Sequence, residues 1–340
     1  MAMSVTHRPV ASSDAGFADG KVAVCVDRSG YSGKALPHAR SIANALGVPA
    51  TLLHVVETRP AAGVGPDPIE WELLRREARN MLNEWVKTYN AAGGEDAEAE
   101  IIEGRPAEQI CRWARDHAAD LIVLCTQGEG EPAAGGIGST AREVVDRAGS
   151  SILLVPATVE LETAAVRYRR ILVPLDGSPL AESVIPLAAR IASADGSEIL
   201  LVHVVPVPEL TRSGPTDVED LKLLDELVAR NDAAARKYLN RLKTRLAEKG
   251  VRVRVFVLRG GDVRSRLPRI AMELEVDLVL LSAHGRSGRS DTPYGSVTSH
   301  LMTHLAAPLL IVRPKPAPAL RHMSAPEHGA DMRYPNRAML

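Results

Sequence analysis

The two halves of this chain repeat one another, and the repeat limits what the chain can fold into. Val22-Ala-Val-Cys-Val-Asp27 matches Ile171-Leu-Val-Pro-Leu-Asp176 at an offset of 149 residues, and Leu52-Leu-His54-Val-Val56 matches Leu201-Val-His203-Val-Val205 at the same offset. After an expansion of eight residues, Ala119-Asp120-Leu-Ile-Val-Leu-Cys125 matches Val276-Asp277-Leu-Val-Leu-Leu-Ser282, and Ser151-Ile-Leu-Leu-Val-Pro156 matches Pro308-Leu-Leu-Ile-Val-Arg313. Each match is a short aliphatic run of strand length, so whatever one half folds into, the other folds into as well.

Within each half the aliphatic runs alternate with longer stretches of helical periodicity, the pattern of βαβ units and a parallel sheet. The first half predicts strands near 21–27, 50–56, 98–102, 120–125 and 151–155, with helices over about 33–46, 67–91, 106–117 and 138–148. The long helix repeats Ile69, Leu73, Met81, Leu82, Trp85 and Tyr89; its counterpart repeats Leu224, Leu227, Tyr238, Leu242 and Leu246. The eight extra residues are expected in this second helix or the loop before it. Aromatics make up 3% of the chain, so the cores must be aliphatic, as suits a parallel sheet covered on both faces.

With 340 residues there is length for two domains of ordinary size, placed at 21–156 and 167–313 and joined by a short linker at 157–166. The segments 1–20 and 314–340, rich in Pro, Ala, Ser, His and Arg and without periodicity, read as disordered tails. No run approaches the roughly 18 apolar residues of a membrane span, and Met1–Gly20 has no apolar core of a signal peptide, so a cytoplasmic protein without a membrane partner is expected. Cys25, Cys111 and Cys125 form no metal spacing, and Cys25 and Cys125 sit in apolar runs as small buried hydrophobes. Charge is divided unevenly: residues 21–156 carry 14 Lys and Arg against 19 Asp and Glu, residues 167–313 carry 22 against 17. Opposite charge on the halves could serve their docking or a ligand.

In a parallel α/β sheet, ligands bind beyond the carboxyl ends of the strands where strand order reverses, after strands one and four. After strand one stands Asp176-Gly-Ser178, where the aspartate can cap the next helix, expected to hold Ala181, Val184, Leu187 and Ile191, or accept hydrogen bonds from a ribose or a base. After strand four comes a glycine-bearing loop, Ser282-Ala-His-Gly285-Arg-Ser-Gly288, running on to Tyr294-Gly295-Ser296-Val297 at a helix N-terminus. Glycines let the backbone approach a phosphate, the first N–H groups of the helix point at the anion, and Arg286 and Arg289 add positive charge. A nucleotide would thus find its nucleoside partners near Asp176 and its phosphate partners from Gly285 to Ser296.

At this point the chain resembles the universal stress protein family in its tandem-domain form, over nearly all of both halves. The family's ATP-binding pattern, Gly-x2-Gly-x9-Gly-Ser/Thr, appears as Ser282-x2-Gly285-x9-Gly295-Ser296 and as Cys125-x2-Gly128-x9-Gly138-Ser139, with the first glycine replaced in each half. The resemblance implies two tandem doubly wound, Rossmann-like α/β domains of about five strands each, binding ATP; the Glu side chains of the first loop could instead help bind a divalent metal such as Mg with the phosphates. It further implies that Asp176 and Asp27 contact the nucleoside, that Val204 and Val55 meet adenine through their backbone, and that the last strands, 151–155 and 308–312, pair the halves into an internal pseudo-dimer able to form a homodimer.

The two sites are not expected to be equal. The second loop offers Arg286 and Arg289 to the phosphates, whereas the first, Gly128 to Gly138, offers Glu129 and Glu131 and has Arg28 in place of Gly177. At surface-like dielectric each charge some 5–6 Å from a triphosphate is worth about 0.5–1 kcal/mol, so the second half should bind about one to two orders of magnitude tighter. The nucleotide-binding set is therefore Asp176, Ser178, Val204, Ser282, Gly285, Arg286, Gly295, Ser296 and Val297, with a weaker set of Asp27, Val55, Gly128, Gly138 and Ser139. Neither half carries a P-loop or a pyrophosphatase-type loop. His54 and His203 read as structural, His300 and His304 lack the spacing of a zinc protease, and no general base stands beside His284. The Trp residues read as packing residues, and the alternating arginines of Val251-Arg-Val-Arg-Val-Phe256 as a half-exposed strand that needs no nucleic acid to explain it. The function implied is a nucleotide-binding stress-response or regulatory role; slow ATP hydrolysis and a non-binding dimerisation module are the alternatives.

Overall fold

The computed structural model describes residues 20–57, 67–91, 96–130, 136–161, 166–207, 218–285 and 293–313. The first half runs β1 (Val22–Cys25), α1 (Ser32–Leu46), β2 (Ala50–Glu57), α2 (Pro68–Ala91), β3 (Glu98–Gly104), α3 (Pro106–Asp116), β4 (Leu121–Cys125), α4 (Ser139–Arg147) and β5 (Ser151–Val155). The second runs β6 (Arg170–Pro174), α5 (Pro179–Glu182), α6 (Ile185–Asp195), β7 (Glu198–Val205), α7 (Val218–Ala247), β8 (Arg252–Arg259), α8 (Val263–Glu273), β9 (Leu278–Ser282), α9 (Ser296–His304) and β10 (Leu309–Val312). The expected elements of both halves are present, most within one or two residues of their predicted bounds. Six of the extra residues lengthen α7, which has 30 residues against 24 in α2. Apart from the buried Gly20, the tails fall outside the described residues.

Local chemistry sets the boundaries. α1 and α6 both stop where a glycine, Gly47 or Gly196, takes a left-handed conformation (φ 59 and 68) that closes the last turn. Pro106 opens α3, where its missing N–H costs nothing. One expectation needs correcting: the helix after the second half's first strand is two helices. α5 ends at Glu182 and α6 begins at Ile185, with Pro186 in its first turn, where its missing N–H is tolerated. α1 carries Pro37 at the matching place without a break.

Each half has the doubly wound order 3-2-1-4-5, with all its pairings parallel. The halves then join through their last strands: β5 and β10 pair antiparallel, Ile152 opposite Ile311 and Leu154 opposite Leu309. The result is one ten-stranded sheet, β3-β2-β1-β4-β5-β10-β9-β6-β7-β8. One apolar layer, under α1, α2, α6 and α7, runs across both halves through Leu153 and Leu310; the other, under α3, α4, α8 and α9, does so through Ile152 and Ile311. Burying each such side chain contributes about 1.5–3 kcal/mol, so core packing holds the halves together alongside the strand pairing.

Polar groups are folded into the same seam. His38 on α1 meets the Tyr168 hydroxyl at 3.0 Å, and Asp195 accepts from Tyr168 N at 3.1 Å and from Ser41 Oγ at 3.4 Å. Arg313 donates to the Val145 carbonyl across the seam. No helix among the described residues is long and apolar enough to cross a membrane.

Candidate functional site

In each half β1 or β6 pairs on one side with the second strand and on the other with the fourth, so the chain leaves these neighbouring strand ends in opposite directions. The first half opens there into a cavity of about 470 Å³. Asp27, Val55, Gly128, Gly138 and Ser139, from strand ends and loops far apart in the sequence, all line it. Val55 comes from the end of β2, and Leu74 and Ala78 from α2 close one wall.

Asp27 organises the mouth. Its Oδ1 accepts from Ser29 N at 2.9 Å and from Ser32 Oγ at 2.7 Å, and its Oδ2 accepts from Glu129 N at 2.8 Å. The carboxylate therefore ties the loop after β1 to the loop after β4. This explains Gly128: a Cβ there would lie 2.3 Å from Asp27 Oδ2. The second half repeats the arrangement, with a Cβ on Gly285 falling 2.5 Å from Asp176 Oδ2 and Ser178 N donating to Asp176 Oδ1 at 2.9 Å. The spacing of the glycines in the sequence is thus matched to an aspartate lying on each of them.

The far end of each loop is stapled too. Gly138 N donates to Thr126 O at 2.7 Å, and Gly295 N donates to Ala283 O at 2.8 Å. These bonds aim the next helix at the site. Among the described residues neither α4 nor α9 has a side-chain cap on its N-terminus, and first-turn N–H groups without one can take another acceptor. Ser139, Thr140 and Ala141, the first turn of α4, line the cavity. Ser282, at the end of β9, is buried, and its hydroxyl has no partner among the described residues.

Other groups are committed to the fold. The Ser178 hydroxyl accepts from Ala181 N at 3.1 Å and caps α5, so it serves the helix. His54 and His203 place Nδ1 at 2.9 and 2.7 Å from the Val26 and Leu175 carbonyls. A carbonyl only accepts, so each Nδ1 donates, and both histidines tie the second strand of their half to the first. Burial pushes the Cys25, Cys111 and Cys125 thiols up, with Cys111 adding to the effect on Cys25, so all three are held as protonated thiols.

Two features were not visible in the sequence. Arg28 spans the first mouth, donating from its backbone N to Glu129 Oε1 at 2.7 Å, with its guanidinium 3.3 Å from the same oxygen. Gly177, with φ 81, stands at the matching place and puts no side chain there. The two glycine loops also cross over: Gly136 packs against the Thr303 carbonyl of α9, and Tyr294 bonds to Asp146 and Arg142 of α4. Arg286, Arg289 and Glu131, on which the expected inequality of the sites partly rests, lie outside the described residues. Val204, Ser296 and Val297 occupy the second-half places that match Val55, Ser139 and Thr140.

These features define a class of protein: a tandem pair of doubly wound α/β domains, each bringing an aspartate, a glycine loop and an uncapped helix N-terminus to its switch point. The universal stress protein family model matches residues 20–156 and 167–313, and the chain belongs to that family. Universal stress protein Rv2005c of Mycobacterium tuberculosis is 25% identical over 307 residues, covering 86% of this chain and 96% of its own length. Universal stress protein MJ0531 of Methanocaldococcus jannaschii is 32% identical over 139 residues, 40% of this chain and 81% of its own. Among solved structures, a universal stress protein from Archaeoglobus fulgidus shares the fold with a TM-score of 0.62 at 16% identity, covering 86% of this chain and 98% of its own.

Proposed function

We propose that this protein binds ATP or a related adenine nucleotide at the switch point of each half, and that occupancy changes its contacts with other proteins in a cytoplasmic stress-response or regulatory role. One observation carries the reading: Asp27, Val55, Gly128, Gly138 and Ser139 surround a single cavity of about 470 Å³ into which the uncapped N-terminus of α4 opens. That volume lies within the usual range for small-ligand sites. The residues suit a nucleotide. The bare Cα of Gly128 lets the Asp27 carboxylate close onto the loop, and the α4 first turn supplies N–H donors and the positive end of a helix dipole to phosphates. Glu129 is a carboxylate at the mouth that Mg carried by the phosphates would meet.

The second half is proposed as the tighter site. Arg286 and Arg289 stand in its loop sequence, and Gly177 leaves its mouth without the Arg28–Glu129 ion pair. That pair also offsets the Glu129 charge, so the gap between sites narrows to about tenfold. Because β5 and β10 are consumed by internal pairing, a homodimer must use another surface.

Calorimetric titration with ATP and Mg tests this. Gly285→Asp should remove the tighter phase and Gly128→Asp the weaker one. Equal losses from both changes would overturn the ranking of the sites. Absence of binding heat, together with no nucleotide in mass spectra of the purified protein, would overturn the reading itself.

A further inference from the structure

The two outer edges of the sheet carry opposite charge. The strand order ends at β3 and β8, and no strand among the described residues pairs with either outer edge. β3 reads Glu98-Ala-Glu100-Ile-Ile-Glu103-Gly104, and β8 reads Arg252-Val-Arg254-Val-Phe-Val-Leu-Arg259. One edge holds three acids and no base, the other three bases and no acid. A free strand edge is a template for pairing with another chain, and charges normally blunt it. Here they blunt it selectively.

We propose that copies of this chain associate head to tail, the β8 edge of one copy adding to the β3 edge of the next. Strand direction allows it. Each half is parallel within itself and the halves meet antiparallel, so β3 and β8 run in opposite directions, and a copy shifted along the sheet presents β3 antiparallel to the β8 it meets. The faces also agree. Ile102 packs in the layer under α3 and α8 together with Phe256 and Leu258, so the alternation of a strand puts Glu98 and Glu100 on the same sheet face as Arg252 and Arg254. Ile101, Val255 and Val257 pack in the opposite layer, which puts Glu103 and Arg259 together on the other face. In the antiparallel register that sets Glu100 opposite Arg252, Glu98 faces Arg254, while Glu103 and Arg259 lie beyond the paired residues.

The charges also choose between modes of association. A two-fold dimer through β3 would set Glu98, Glu100 and Glu103 against themselves, and one through β8 would do the same to the arginines; like charges directly across a strand pair are destabilising. Only the heterologous pairing joins opposite signs, and such a contact repeats into a ring or an open filament. The chain's larger charge division follows the same direction, acidic in residues 21–156 and basic in 167–313.

The edge charges have partners within the chain: Lys21 for Glu98, Trp113 Nε1 for Glu100, Arg75 for Glu103, Glu198 for Arg254, Asp232 for Arg259 and the Gly196 carbonyl for Arg252. These use only part of the five donors of each arginine. The Glu98, Arg254 and Arg259 side chains stay 69%, 47% and 60% exposed. Beside the free edge of β8 runs a groove of about 370 Å³ lined by Arg236, Asn240, Lys243 and Arg254, with room and positive charge for an incoming acidic strand.

Sedimentation velocity of the full chain tests the proposal. At an ionic strength of about 0.1 M the weight-average sedimentation coefficient should rise with protein concentration, and at about 1 M, where the Debye length falls from about 10 to 3 Å, it should return to the monomer value. Glu98→Lys with Glu100→Lys makes both edges basic, and Arg252→Glu with Arg254→Glu makes both acidic; each double variant should stay monomeric, and an equimolar mixture should recover association. The recovery also shows that both variants are folded. A wild type that is monomeric throughout, reversed variants that associate like wild type, or a mixture that stays monomeric would each overturn the proposal.

Discussion

Acidification should loosen the seam between the halves through His38. This side chain is 4% exposed, and Tyr168, whose hydroxyl lies 3.0 Å from its Nδ1, is fully buried. Burial lowers the His38 pKa from 6.5 to about 4. An unfolded chain titrates this ring near its ordinary value, so between pH 6.5 and 4 the unfolded state takes up a proton that the native state refuses. Stability is therefore whole above the unfolded pKa, falls as pH drops through this window, and has lost its full amount below about pH 4. The gap corresponds to about 3 kcal/mol, of which about 2 kcal/mol disappears between pH 7 and pH 5. Urea unfolding of wild type and His38→Gln at pH 7, 6 and 5 measures it. Glutamine retains a polar group for Tyr168 but does not titrate, and comparing the two chains cancels the other histidines. Wild type should lose about 2 kcal/mol more than the variant across that interval. Parallel pH profiles would refute the argument, because they would mean that His38 is hydrated or already protonated in the fold.

Two further outcomes follow from single contacts. Gly128→Ala drives a Cβ to within 2.3 Å of Asp27 Oδ2 and displaces the acceptor of Glu129 N, so it should cost about 2–3 kcal/mol in chemical denaturation. Gly149→Ala, which meets no atom within 4 Å, is the control, and a Gly128→Ala chain as stable as that control would sink the account of the loop. Arg40 is 1% exposed, donates to the Tyr89 carbonyl and packs its guanidinium 4.6 Å from the Tyr89 ring, but its Nε and Nη2 are buried with no partner among the described residues. Replacing it with methionine should change stability by less than about 1 kcal/mol, or raise it, since a buried charge with unmet donors carries its own penalty. A loss above about 3 kcal/mol on unfolding would show that the charge itself holds α1 against α2.

The amino-acid sequence alone determined the duplication and the alternation of strands and helices. Those properties are local: period, length and capping report what each segment buries, and the same report appears twice, at offsets of 149 and 157. It also showed the alternating arginines at 251–256 as a strand. It could not show that Asp27 lies on Gly128, that Arg28 spans a mouth to Glu129, that Ser178 is spent on capping α5, or that His38 meets Tyr168 130 residues away. Each depends on which distant strands become neighbours, and periodicity carries no information about neighbours. The same holds for the sheet edges. Glu98 to Glu103 and Arg252 to Arg259 are two charged strands in the sequence, and only the antiparallel joining of β5 to β10 makes them the opposite ends of one sheet.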